Sequence, residues 1–98
     1  MKLIIIDVDG TLTDGSILYD ENGNEIKKFS VRDAAAFFAA KEAGIKTMVL
    51  TGRESKATQR RMDELKVDYL FQNIKKKTEF LQTFCKERQL QKNDLGYI

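Results

Sequence analysis

Asp7-Val8-Asp9-Gly10-Thr11 places two carboxylates two residues apart, directly after the unbroken apolar run Leu3 to Ile6. Extended backbone turns alternate side chains to the same side, so both acids can face one pocket. Two carboxylates that close repel unless a cation or a shared proton relieves them. Hard oxygen ligands suit Mg²⁺, which makes Asp7 and Asp9 the candidate metal ligands. Gly10 lets the chain bend sharply beneath an incoming phosphate. In such a site Asp7 is placed to attack phosphorus and form an acyl-phosphate, replacing one hard displacement by two easier ones. Asp9 can protonate the leaving alcohol and then activate water. Thr51 offers a hydroxyl to a phosphate oxygen, and Lys77 a compact positive charge against the anionic nucleophile and transferring group. Each also has a plain structural reading. Thr51 suits a helix cap or a turn before Gly52, and Lys77 a solvated helix start, with Lys75 and Lys76 competing for its role.

These residues need a scaffold that brings them to one edge. The β-branched run Leu3 to Ile6 predicts a strand covered on both faces. Ser16 to Phe29 alternates around Asn22-Gly23, whose tolerance of positive φ at both central positions predicts a hairpin with a tight turn. Asp20 to Glu25 resembles a calcium loop only superficially, because the ligand spacing and distal glutamate are wrong. Asp33 opens an alanine-rich helix to Ala43, which Gly44 can close in the left-handed conformation. A buried strand over Ile45 to Leu50 precedes an amphipathic helix over Glu54 to Lys66, with Ala57, Met62 and Leu65 on its apolar side. Val67 to Phe71 predicts a third strand, Thr78 to Leu90 a third helix, and Leu95 to Ile98 the start of another strand. Strands alternating with helices imply parallel pairing through right-handed crossovers. The expected fold class is therefore α/β, a doubly wound Rossmann-like parallel sheet whose active edge lies at the C-terminal ends of the strands.

The 98 residues, without proline, suffice for one modest core and predict a single domain over 1–98, with the hairpin as a flap at about 16–29. The net charge of +2 arises from 17 basic and 15 acidic residues that are largely interspersed, so no broad field favours nucleic acid or an anionic membrane. Lys2 and the short apolar run after it are too brief for a signal or a membrane span. Cys85 cannot pair within the chain and falls among Phe80, Leu81 and Phe84 at helical spacing, as a small buried hydrophobe would. A reducing cytoplasm is the expected compartment.

Asp7 to Thr11, with Thr51 after the next core strand and Lys77 later, resembles the haloacid dehalogenase superfamily (the HAD fold), whose motifs are a strand ending in Asp-x-Asp-Gly-Thr, a Ser or Thr, and a Lys or Arg. The resemblance implies Mg²⁺-dependent hydrolysis of a phosphate monoester. Asp7 to Gly15, the hairpin, Lys28 to Asp33, Thr51 to Ser55 and Tyr69 to Gln72 are together similar to the 3-deoxy-D-manno-octulosonate 8-phosphate phosphatase family. That likeness covers essentially the whole chain. It implies no separate cap domain, a homotetramer whose hairpins help close a neighbour's site, and a small phosphorylated sugar acid as substrate. Its substrate-contacting stretch falls on Ser30, Val31, Arg32, Asp33 and Ala34, with further contacts at Asp9, Arg53, Arg61 and Lys77. Guanidinium groups suit the acid because they can hold a carboxylate with two hydrogen bonds. For Arg61 the alternative is an exposed helix face beside Arg60.

Ala34, Ala36 and Phe38 depart from the family, which usually has glycine at the first two positions and a basic residue at the third. The 2-keto-3-deoxynonulosonate 9-phosphate phosphatases can carry an aromatic residue at that third position but lack the arginines present here as Arg32 and Arg53. The family also continues beyond Tyr97-Ile98 with Gly-Asp-Asp, which supplies a further metal ligand, so the residues as written are expected to bind Mg²⁺ poorly. Two other classes share the architecture. A phosphorylation-controlled receiver domain needs a third aspartate at a later strand end, where this chain has Thr51-Gly52-Arg53. A dinucleotide-binding domain needs Gly-x-Gly-x-x-Gly where this chain has Asp7-Val8-Asp9.

Overall fold

The computed structural model describes residues 1–98. Leu3–Ile6 forms β1, and it lies in the interior of a four-stranded sheet with β4 (Lys46–Leu50), β5 (Tyr69–Phe71) and β6 (Leu95–Tyr97), in the order β5-β4-β1-β6. Every pairing is parallel, with Leu3 opposite Lys46 and Leu95, and Met48 opposite Tyr69. The helices α1 (Asp33–Glu42), α2 (Lys56–Leu65) and α3 (Lys77–Glu87) complete an α/β doubly wound sheet, as expected from the alternation of elements.

The period-two geometry of β1 and β4 explains the layering. Leu3, Ile5, Met48 and Leu50 face one side, where they meet Phe84 of α3 and half-buried Phe80 and Leu81. Ile6 and Val49 face the other, joining Val8, Leu12, Phe37 of α1, and Met62 and Leu65 of α2. A strand feeding both layers has no solvated face, which is why its sequence is apolar throughout.

Helix boundaries shift from the expected ones where caps and tertiary contacts set them. α2 begins at Lys56, not Glu54, because Ser55 is extended (φ −153°, ψ 149°) and its hydroxyl accepts the Thr58 N–H. The Ser55 N–H in turn donates to Gln72 Oε1 at 2.9 Å, tying the helix start to the end of β5. Lys66 closes α2 in the left-handed region, φ 54°. Asp33 lies in the first turn of α1, with Arg32 at the cap position. Cys85 is only half-buried, since it sits at the rim of α3, while Phe84 takes the core position.

The hairpin is present as β2 (Leu18–Tyr19) and β3 (Glu25–Ile26), antiparallel, with Leu18 opposite Ile26. Its connection is not the two-residue turn expected from Asn22-Gly23. Among the loop residues only Gly23 takes positive φ, 82°. Instead Asp20 organises a five-residue loop, its carboxylate accepting the N–H groups of Asn22 and Asn24 at 2.9 and 2.8 Å. No helix is long and apolar enough to cross a membrane.

Candidate active site

Asp7 and Asp9 leave the C-terminal end of β1 with fully buried Val8 between them. Val8 turns inward, which anchors the intervening residue while both acids stay partly accessible. Beyond Asp9 the chain reverses abruptly. The Val8 carbonyl accepts N–H groups from Thr11, Leu12 and Thr13, and Gly10 adopts φ 85°. A side chain at Gly10 would be strained by that φ alone. Nearly buried Thr13 closes the turn, its Oγ1 accepting the Gly10 and Gly15 N–H groups at 3.3 and 3.2 Å. Thr13 carries no motif signature in the sequence.

Lys77, the first residue of α3, donates to Asp7 Oδ1 at 3.2 Å across 70 residues of sequence. Its two lysine neighbours go elsewhere. Lys75 donates to the Gly52 carbonyl and Lys76 takes the helix-cap position. The Asp7–Lys77 side chains are 39 % and 42 % exposed, so water screens the pair and it adds little to stability. Thr51 is buried at the exit of β4, beside β1, and its Oγ1 accepts the Arg53 N–H at 3.4 Å. The edge thus gathers acids from one strand exit, a hydroxyl from the next, and an ammonium from a helix start.

Two further residues enter from the hairpin. Lys27 Nζ, with its side chain only 2 % exposed, lies 2.6 Å from both Asp9 Oδ1 and Glu25 Oε1. Glu25 also accepts from Arg53, through Nη2 at 2.7 Å and Nε at 3.3 Å. The result is an alternating chain of charges, Asp9, Lys27, Glu25 and Arg53. The Arg53 hydrogen bonds, followed by that of Lys27, hold the Glu25 carboxyl down at about 2. Burial lowers the affinity of the Lys27 amine for its proton, but the Asp9 and Glu25 hydrogen bonds outweigh it and the net direction is upward. Neither Glu25 nor Lys27 is marked by the sequence motifs. Their only local signal is an acid and a base two residues apart, hence on one side of a strand.

The other candidate contacts are dispersed. Ser30, Val31, Arg32, Asp33 and Ala34 form the entry to α1, where Ser30 Oγ accepts the Arg32 N–H at 3.2 Å and Val31 is 84 % exposed. Arg61 is not a free surface side chain. It donates to the Ser30 carbonyl at 3.2 Å, tying α2 to that entry, and pairs with Glu64 at 3.4 Å.

The Glu25 network predicts an acid-labile hairpin. A carboxyl lowered from 4.5 to about 2 contributes stability that is fully present above pH 4.5 and is lost as the pH falls towards 2. Amide protection factors for Asp20 to Ile26 should fall over that window while those of β1 and β4 hold. Glu25→Gln should show weak hairpin protection at both ends of it. Hairpin protection unchanged between pH 5 and pH 2.5 would mean these ion pairs do not secure it.

Residues 4–94 match the family profile of haloacid dehalogenase-like hydrolases. The chain belongs to this family. Among similar curated proteins is the 3-deoxy-D-manno-octulosonate 8-phosphate phosphatase of Haemophilus influenzae, 44 % identical over 71 residues, covering 72 % of this chain and 39 % of the relative. The enzyme of the same name from Escherichia coli K12 is 31 % identical over 98 residues, 100 % of this chain and 52 % of the relative. The chain therefore spans about half or less of the length of these relatives. Among solved structures, that of the 3-deoxy-D-manno-octulosonate 8-phosphate phosphatase of Moraxella catarrhalis in complex with magnesium, phosphate and KDO superposes with a TM-score of 0.92 at 35 % identity, over 99 % of this chain and 56 % of the other. Membership of this family disposes of the receiver and dinucleotide-binding readings.

Proposed function

We propose that the protein is a phosphomonoesterase working through an aspartyl-phosphate on Asp7, with 3-deoxy-D-manno-octulosonate 8-phosphate as its substrate. The observation that carries this reading is the ammonium of Lys77 against Asp7 Oδ1, with Asp9 two residues on and Thr51 at the adjoining strand exit. A carboxylate oxygen of Asp7 attacks phosphorus as the bond to the leaving oxygen breaks, and Asp9 gives that oxygen a proton. Water then attacks the phospho-aspartate, Asp9 taking its proton, and phosphate leaves with Asp7 restored. Lys77 and the Thr51 hydroxyl hold the charge that spreads over the phosphoryl oxygens.

The donor chemistry of the site fits magnesium only sparsely. Asp7 and Asp9 supply hard oxygens, but no group of three or more metal-ligating side chains converges here. Mg²⁺ tolerates this, since it commonly takes one or two carboxylates and completes its shell with water and substrate phosphate. Asp7 would hold it through its carboxylate, with Asp9 adding a main-chain oxygen so that its own carboxylate stays free for the proton, and when bound it supplies a Lewis acid on the phosphoryl oxygens. The magnesium in the Moraxella catarrhalis complex supports this reading.

The names of the relatives support the eight-carbon sugar acid, and Arg32, Arg53 and Arg61, with Ser30, Val31, Asp33 and Ala34, are the proposed contacts to it. Arg53 spends Nε and Nη2 on the Glu25 carboxylate, so a sugar carboxylate would meet it through the donors that remain. We place the working protein in the cytoplasm and read residues 1–98 as one domain of it. We propose a homotetramer, and exposed Ile17, Leu18, Tyr19 and Ile26 support a flap that meets a neighbouring copy.

Arg32→Ala and Arg53→Ala test the substrate directly. Each removes a charge-assisted contact worth about 1.5–3 kcal/mol, so kcat/KM for the sugar acid should fall roughly tenfold to a hundredfold. Turnover of p-nitrophenyl phosphate, which has no carboxylate, should change little in Arg32→Ala, whereas Arg53→Ala also releases Glu25 and should lower it modestly, by less than its loss on the sugar acid. Equal losses on both substrates would assign the arginines to the phosphate or the fold, and faster turnover of a nine-carbon than an eight-carbon sugar acid would reassign the substrate.

A further inference from the structure

We propose that Lys27 is a positioning residue for Asp9, through which the hairpin fixes the orientation of the acid–base carboxylate. The inference rests on the phosphomonoesterase reading above and adds to it a residue that lies in none of the sequence motifs. Lys27 is the most enclosed cation of the site, its side chain 2 % exposed, against 27 % for Asp9 and 13 % for Glu25. An enclosed ammonium is held where acceptors meet its donors. Here two carboxylates at 2.6 Å take two of its three donors, so its position is fixed closely. Asp9, the more exposed partner, is held at Oδ1, which leaves its other oxygen to meet a ligand. A proton donor must sit within a few tenths of an ångström of its target line, and one free to rotate loses much of its advantage.

The second anchor explains why the lysine itself stays put. Lys27 follows a strand of only two residues, in a hairpin whose apolar side chains Leu18, Tyr19 and Ile26 are about half exposed or more. So little burial holds a hairpin weakly. Glu25 accepts Lys27 on Oε1 and, on both oxygens, the guanidinium of Arg53 at the exit of β4. The flap is thereby fastened to the main sheet by the same charges that orient Asp9. A lysine serving only as a staple would affect stability and binding, whereas one acting through Asp9 affects turnover.

A double-mutant cycle on the complete gene product separates these roles, with Lys27→Met, Lys27→Arg and Asp9→Asn assayed with Mg²⁺ on an alkyl phosphate and on p-nitrophenyl phosphate. Lys27→Met should lower kcat about tenfold to a hundredfold on the alkyl ester, whose leaving group needs the proton most, with KM within about threefold. Lys27→Arg should recover most of that loss. In the Asp9→Asn background, Lys27→Met should cost less than about twofold on p-nitrophenyl phosphate. Lys27→Gln replaces Lys27→Met should the latter fail to fold. A loss of equal factor with and without Asp9, or an unchanged kcat, overturns the proposal. Absence of Mg²⁺-dependent hydrolysis in the wild-type protein, or its survival in Asp7→Asn, overturns the phosphatase reading instead.

Discussion

Asp7→Asn is expected to abolish hydrolysis of every phosphate ester, with kcat reduced by at least about a thousandfold, because an amide cannot form the acyl-phosphate. The loss should be severe for both the sugar acid and p-nitrophenyl phosphate, since neither ester can pass on its phosphoryl group without the nucleophile. Asp9→Asn should behave differently. Its loss, roughly a hundredfold or more on an alkyl ester, should shrink on p-nitrophenyl phosphate, whose leaving group departs with less need of a proton. Neither change should unfold the protein. Asp7 is 39 % exposed and its ion pair with Lys77 is screened, so thermal melting should shift little. Trapping with a beryllofluoride analogue gives an independent check, because the modified residue can be mapped. Modification of any aspartate other than Asp7 would sink the mechanism even if the kinetics agreed.

The largest effect on stability should come from Phe84→Ala. Phe84 is 5 % exposed and joins α3 to the sheet face built from Leu3, Ile5, Met48 and Leu50. Its ring meets Tyr69 edge-on at 5.1 Å and Phe71 at 6.0 Å between centroids, and the Arg88 guanidinium lies 3.9 Å from its centre. Truncating it removes apolar contact, leaves a cavity among aromatic neighbours that cannot collapse into it, and frees Arg88, for a cost of about 3–5 kcal/mol. Against a total of about 5–15 kcal/mol for a domain, that change brings the protein close to unfolding. Urea titration followed by circular dichroism measures it. Phe38→Ala makes the comparison, since Phe38 is 49 % exposed and should cost under about 1 kcal/mol. Similar costs at the two positions would mean that the α3 layer is not the core described here.

The acidic pair, the reversal at Gly10 and the alternation of elements are written in the sequence because each depends on residues within a few positions of one another. Leu3 to Ile6, apolar throughout and rich in isoleucine, reads as a strand covered on both faces, and the period of two carries Asp7 and Asp9 out of it together. The same locality explains the errors. Asn22-Gly23 favours a two-residue turn, yet the Asp20 carboxylate offers its backbone amides better partners, and a five-residue loop results. The start of α2 moves because Ser55 gains a bond to Gln72, which lies 17 residues away.

The assembly of the site belongs to the tertiary structure. Three consecutive lysines are equivalent by charge and spacing, and only the docking of α3 brings Lys77, rather than Lys75 or Lys76, to Asp7 across 70 residues. Arg53 reads as a free guanidinium until the hairpin folds back and Glu25 meets it from 28 residues away. Lys27 reads as one of two adjacent surface lysines, and it becomes the enclosed partner of Asp9 only when the flap closes over 18 residues. Each such contact depends on loop closure and on the order of strands in the sheet. Those are set by how the two apolar layers pack, so no local pattern of charges could announce which opposite charges would meet.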